Sequence, residues 1–233
     1  EIKTDAQIVG LAAEGEVCAE IREGETGIIV TDKTPFYAEM GGQAGDIGII
    51  GKGDAKAEVT DTKKNGNGIY MHFVKVESGS FSAGDTVTLC VCGENRMAIC
   101  RNHSATHLLH KALKEVLGGH VAQAGSEVNA KHLRFDFSHF EAMTKEELEK
   151  TEQKVNAAVL KAMPITVKEL PIDEAKKLGA EAQFGEKYGD VVRVVSMGDY
   201  SVEFCGGTHL ENTANVGLFK LISEGGVAAG TRS

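Results

Sequence analysis

His103 and His107 stand four residues apart in a segment that reads as helix, Asn102-His103-Ser104-Ala105-Thr106-His107. That spacing is about one helical turn, so both imidazoles share a face and can grip one zinc ion. A second pair at the same spacing, Cys205 and His209, flanks Gly206-Gly207-Thr208. Its two glycines favour a tight turn over a helix, and such a turn can fold both side chains back towards one point. Either half alone has an ordinary explanation: histidines on a solvated helix face, or a buried free cysteine in a loop. Together they supply three imidazoles and a thiolate, a donor set that suits Zn2+.

The neighbouring residues narrow the chemistry. Ser104 occupies the place where a zinc peptidase helix carries its glutamate base, which argues against peptide hydrolysis by that route. No Cys-x-x-Cys pairing of a finger or ribbon is present. Four protein ligands ordinarily close a structural site, whereas catalysis needs an exchangeable position or a fifth ligand. The sequence leaves both open.

The elements that must position these residues fall into two parts. The first ninety or so residues are rich in glycine and β-branched residues and contain no convincing helix. Short strands are expected at residues 27–30, 47–50, 57–60, 69–76 and 86–91, separated by turn signals such as Lys64-Asn65-Gly66-Asn67-Gly68. Strands spaced this closely suggest a small antiparallel barrel over residues 1–93. From residue 94 onward the pattern becomes α+β, with two main helices packed on an antiparallel sheet. Asn102 or Ser104 is expected to cap the first helix, which Gly118-Gly119 ends. Thr144 and Glu147 have capping-box spacing for the second helix, and Pro164 stops it. Strands are expected at 121–128, 133–137, 165–170, 191–195, 200–204 and 216–222, with a short helix at 172–178.

Bulk properties exclude some classes. The 233 residues are 42% hydrophobic and 25% charged, ordinary for a globular protein with a real core. No run of eighteen apolar residues exists, so no membrane-spanning helix is expected. Five cysteines without a framework pattern suit a reducing, cytoplasmic setting. The net charge of −9 argues against a free-standing nucleic-acid binder, so any RNA contact must be local or assisted. The absence of an initiator methionine suggests a piece of a longer chain.

Residues 102–110 together with Cys205-Gly206-Gly207-Thr208-His209 resemble the paired zinc motif of alanyl-tRNA synthetase editing domains and their free-standing relatives. Thr34-Pro35-Phe36-Tyr37-Ala38-Glu39-Met40-Gly41-Gly42-Gln43-Ala44-Gly45-Asp46 resembles the glycine-rich segment of the barrel that precedes that domain. Leu133-Arg134-Phe135-Asp136-Phe137-Ser138-His139 resembles the family's central strand. The resemblance implies that His103, His107, Cys205 and His209 bind zinc and form the catalytic centre. It also implies that Thr106 and Gln123 line the pocket sensing the aminoacyl side chain. The implied activity is hydrolysis of serine or glycine wrongly esterified to tRNA(Ala), with the acceptor end and the remaining synthetase domains as partners. Gly41-Gly42-Gln43 then offers close backbone approach to the acceptor end, with a plain turn or bulge as the alternative. Backbone N–H groups of Gly206-Gly207 are candidate oxyanion donors.

The remaining histidines and basic residues carry weaker signals. His110 is expected at the surface, with a place behind the ligands as the alternative, and His120, His132 and His139 are expected to be structural or exposed. Lys63, Lys64, Lys111, Lys114, Lys131 and Arg134 are candidate phosphate contacts whose default is a solvated face. Two other readings stand beside the main one: a free-standing trans-editing deacylase, and a tRNA-binding module with a structural zinc.

Overall fold

A computed structural model of the chain describes residues 2–181 and 189–233. It divides into two compact units, Glu1–Met40 with Ala44–Met97, and Gly41–Gln43 with Ala98–Ser233.

The first unit is built from nine strands: β1 (Lys3–Ala13), β2 (Glu16–Val17), β3 (Glu20–Arg22), β4 (Thr26–Thr31), β5 (Gly48–Lys52), β6 (Ala55–Lys64), β7 (Tyr70–Ser78), β8 (Ser80–Ser82) and β9 (Thr86–Val91). Six of them close an antiparallel ring in the order β1-β4-β7-β6-β5-β9 and back to β1. β2 extends β1, and β3 pairs with β8. Closure follows from alternation: Ala6 and Ile8 in β1, Val74 and Val76 in β7, and Val87, Leu89 and Val91 in β9 all point inward. Gly48 is required where β5 meets β9, because a Cβ there would lie 2.1 Å from the carbonyl of Cys90.

Asp46, fully buried, anchors the end of the glycine-rich segment in this unit. Its carboxylate accepts from the Tyr37 N–H at 2.6 Å and from Arg96 Nε at 2.8 Å, and Arg96 Nη2 also donates to the Pro35 carbonyl at 2.9 Å.

The second unit contains most of α1 (Gly93–Leu117), then β10 (Gln123–Val128), β11 (Leu133–Ser138), α2 (Lys145–Leu160), β12 (Ile165–Pro171), α3 (Ile172–Lys177), β13 (Val191–Met197), β14 (Ser201–Phe204), a 3-10 turn at Thr213–Val216, β15 (Gly226–Ala228) and β16 (Thr231–Arg232). The antiparallel strands form two sheets, β10-β11-β16-β15 and β12-β13-β14. Leu108, Ala112 and Leu113 of α1 share one core with Val155, Ala158 and Val159 of α2, Phe135 and Phe137 of β11, and Cys205.

Two expectations need correction. The first helix starts at Gly93, so Asn102 and Ser104 lie within it and cap nothing. These cap-type side chains bond across the fold instead, Asn102 Nδ2 to the Asn129 carbonyl at 2.7 Å and Ser104 Oγ beside His209. Residues 216–222 form no strand. Asn156 of α2 holds both the N–H and the carbonyl of Phe219 at 2.9 Å, and Glu152 accepts from the Leu221 N–H at 2.8 Å, so side chains replace the ladder. The capping box at Thr144 and Glu147 is present as expected. Among the described residues no helix is long and apolar enough to cross a membrane.

Candidate metal centre

Helical spacing puts His103 and His107 on one buried face of α1, in the middle of the helix rather than at its start. β14 delivers Cys205, and the turn that follows returns His209 to the same point. One nitrogen from each imidazole and the Cys205 sulfur all lie within 4.8 Å of one another. Cys205 Sγ is 3.3 Å from both His103 Nε2 and His209 Nε2. The His103 and His209 ring centroids are 4.4 Å apart, and those of His107 and His209 4.7 Å. The turn is clamped by Arg193 of β13, whose Nη1 donates to the Cys205 and Gly207 carbonyls at 2.8 and 2.6 Å.

Each imidazole has a partner behind it. His103 Nδ1 meets Gln43 Oε1 at 2.7 Å, and His209 Nδ1 meets Ser104 Oγ at 3.2 Å. His107 Nδ1 lies 3.4 Å from Glu203 Oε2, close enough for charge attraction but without a formed hydrogen bond. Such outer partners fix ring orientation and tautomer at metal sites.

Burial and neighbouring groups set the charge of each donor. Burial pushes the Cys205 thiol up, but the surrounding imidazoles of His103, His107 and His209 outweigh it and hold the group well below its ordinary value. Burial pulls His209 down to about 3, leaving a neutral imidazole. Burial also opposes the charged form of His107, yet the Glu203 carboxylate and the thiolate raise it to about 9. A thiolate among imidazoles suits a soft-to-borderline divalent cation, which on binding would displace the proton of His107. The structure thus brings together His103, His107, Cys205 and His209 as a site that can hold a metal.

The other candidates sit as follows. Gln43 is fully buried, and its amide joins His103 to Thr208. Gly42 is left-handed and packs on β10, where a Cβ would lie 2.3 Å from the Ser126 carbonyl. The Thr106 hydroxyl donates to the Asn102 carbonyl at 2.9 Å. Gln123, half-buried at the start of β10, donates to Ser126 Oγ at 3.3 Å. The Gly207 N–H faces Cys205 Sγ at 3.4 Å and so supports the thiolate rather than standing free for an oxyanion. His110, expected at the surface, is buried with Nδ1 3.2 Å from Glu203 Oε1.

Sequence reasoning missed Glu203, Ser104, Thr208 and Arg193 as supports. The available signal for Glu203 was a charged residue in inward register on a short apolar strand, two positions before Cys205. Behind it lies a polar cavity of about 210 Å³ lined by His110, Lys114, Glu181, Tyr200 and Glu203. A groove of about 840 Å³ over Leu109, Phe135, Phe137 and Met143 includes none of the four donors in its lining, so size alone does not mark the site.

Comparisons with known proteins bear on this geometry directly. Residues 1–94 match the family of class II (A) tRNA synthetases, and residues 192–232 match the second additional domain of threonyl and alanyl tRNA synthetases. The chain is 52% identical over 231 residues to an alanine–tRNA ligase of Bacillus velezensis, an alignment covering 99% of this chain and 26% of that protein. The chain is similar to one region of alanine–tRNA ligases. An alanine–tRNA ligase of Clostridioides difficile is 53% identical over 232 residues, and that of Bacillus subtilis is 52% identical over the same length. Each of these alignments covers all of this chain and 26% of the relative, so the chain spans about a quarter of its relatives' length.

Proposed function

We propose that this chain is the editing portion of an alanyl-tRNA synthetase and hydrolyses the ester of tRNA(Ala) wrongly charged with serine or glycine. The observation that carries the reading is the convergence of His103, His107, Cys205 and His209 to within 4.8 Å in a chain similar to this region of alanine–tRNA ligases. Zinc fits the site: three imidazoles and a thiolate match its preferred donors, and each ring has a neighbour behind it. When bound, zinc supplies Lewis-acid charge at the ester or a grip on the substrate amine or hydroxyl.

The chain's own residues supply the rest. Arg193 holds the turn through the Cys205 and Gly207 carbonyls, the Gly207 N–H supports the thiolate, and Gln43, Glu203 and Ser104 orient the rings. Thr106 and Gln123 are proposed to sense the aminoacyl side chain, and Gly42 to allow close approach of the acceptor end. A second site is needed because a pocket shaped for alanine cannot sterically exclude glycine. Binding alone also rejects serine's extra hydroxyl by only about a hundredfold. Proposed partners are the tRNA(Ala) acceptor end and the remaining synthetase domains, in the cytoplasm.

The test is deacylation of serine-charged against alanine-charged tRNA(Ala), with zinc content recorded. Serine release by the wild-type chain and its loss in Cys205→Ala supports the enzyme. No release at any concentration of the zinc-loaded chain overturns it. The burial of His103, His107 and Cys205 favours a second reading, a tRNA-binding module with a closed structural zinc. Unfolding on chelation, without deacylation, would select that reading.

A further inference from the structure

We propose that Gln43 is a positioning residue that locks the His103 imidazole in its Nδ1–H form and couples it to the Gly207-Thr208 turn. The inference rests on the metal reading given above.

Gln43 has no exposed surface, and both its amide oxygen and its amide nitrogen are hydrogen-bonded. Oε1 receives the Thr208 backbone N–H at 2.9 Å and lies 2.7 Å from His103 Nδ1, while Nε2 donates to Thr208 Oγ1 at 2.9 Å. The Thr208 bond settles the orientation of the amide, because a backbone N–H can only donate and must face the oxygen. The same oxygen can only accept, so the proton it meets on His103 belongs to Nδ1. The lone pair is thereby placed on Nε2, the atom 3.3 Å from Cys205 Sγ.

The contact has little freedom. A Cβ on Gly207 would lie 2.0 Å from His103 Cε1 and 2.7 Å from Gln43 Oε1, so ring, amide and turn are in close contact. Gln43 is itself held against β10, where the Gly42 carbonyl accepts from the Val128 N–H at 2.8 Å and Gln43 bridges Val128. One side chain therefore ties a ligand from α1, the turn carrying two more ligands, and the edge of β10.

The experiment measures zinc affinity by chelator competition for the wild type, Gln43→Leu and Gln43→Glu, together with the His103 tautomer by nitrogen NMR of the zinc-loaded chain. Gln43→Leu keeps bulk but removes the acceptor, and a loss on the order of 10- to 100-fold in affinity is expected. Gln43→Glu keeps an acceptor at the same reach and is expected to restore affinity to within a few-fold of wild type. If Gln43→Leu fails to fold, the Gln43→Glu affinity and the wild-type tautomer still decide. Wild-type affinity in Gln43→Leu, a tenfold or greater loss in Gln43→Glu, or a proton on Nε2 of His103 overturns the proposal. These readings involve no tRNA, so a chain that binds zinc as described but fails to deacylate overturns only the hydrolase. A wild-type chain that takes up no zinc overturns the metal reading and this inference with it.

Discussion

Glu203 sets its carboxylate 3.4 Å from Nδ1 of His107, on the side of the ring away from the Cys205 thiol. The same carboxylate accepts from Ser201 Oγ and faces His110, each at 3.2 Å, so it is buried but not unpartnered. One negative charge behind a ligand ring raises that ring's basicity and fixes its aim.

Replacing Glu203 with Gln should weaken zinc binding on the order of tenfold or more, read by chelator competition. In the metal-free chain the effect should also depend on pH. The folded His107 value of about 9 lies above the ordinary 6.5, so its stabilising contribution is fully present below 6.5 and fades as pH rises through about 9. Glu203→Gln should therefore destabilise the metal-free chain more at pH 6 than at pH 9.5 in denaturant titrations. Equal losses at both would show that the pair does not interact.

Gly207→Ala tests the turn itself. A methyl group 2.0 Å from His103 Cε1 cannot be accommodated without moving the ring or the loop. About 1–3 kcal/mol of stability should be lost, as in other overpacked sites. Zinc uptake should fall at the same time, measurable by metal analysis after dialysis. Retention of full zinc content would mean that the turn yields without disturbing the cluster.

Period-two alternation and closely spaced turns made the barrel legible, and the paired motifs at 103–107 and 205–209 made the donor set legible. The start of α1 was not, because Asn102 and Ser104 are common caps and nothing local reveals that their side chains bond Asn129 and His209 instead. The segment 216–222 misled for the same reason. Its apolar residues suit a strand, but Asn156 and Glu152, more than sixty residues earlier, take up its backbone groups. Gln43 and Glu203 were hard to place because their roles come from tertiary neighbours, and a buried Gln and a buried Glu look like surface residues in a sequence.

His72 provides a pH test inside the first unit. Its Nδ1 faces the Ile29 carbonyl at 2.8 Å and its Nε2 faces Thr34 Oγ1 at 2.8 Å. Burial pulls its folded value below 6.5, more than the Ile29 bond raises it. Between 6.5 and that lower value the unfolded chain binds a proton that the folded chain does not. This contribution to stability is present above 6.5 and lost as pH falls through that window. His72→Gln should flatten that part of the pH profile in chemical denaturation, and an unchanged slope would place the titration elsewhere.

Asp46→Ala should be the most damaging single change in the first unit. The carboxylate is buried and pairs with Arg96, whose side chain is 15% exposed. A buried ion pair is not in itself strong evidence of stabilisation, because desolvation offsets attraction, but removing one partner leaves the other's charge uncompensated by a carboxylate. A loss of about 3–5 kcal/mol follows from that asymmetry. The Tyr37 N–H loses its acceptor as well, which loosens the start of the glycine-rich segment. The double variant Asp46→Ala with Arg96→Met should recover part of the loss, since the uncompensated charge is gone. Urea midpoints of the two variants decide the matter: equal midpoints would mean that the guanidinium's remaining partners suffice and that the pair contributes little.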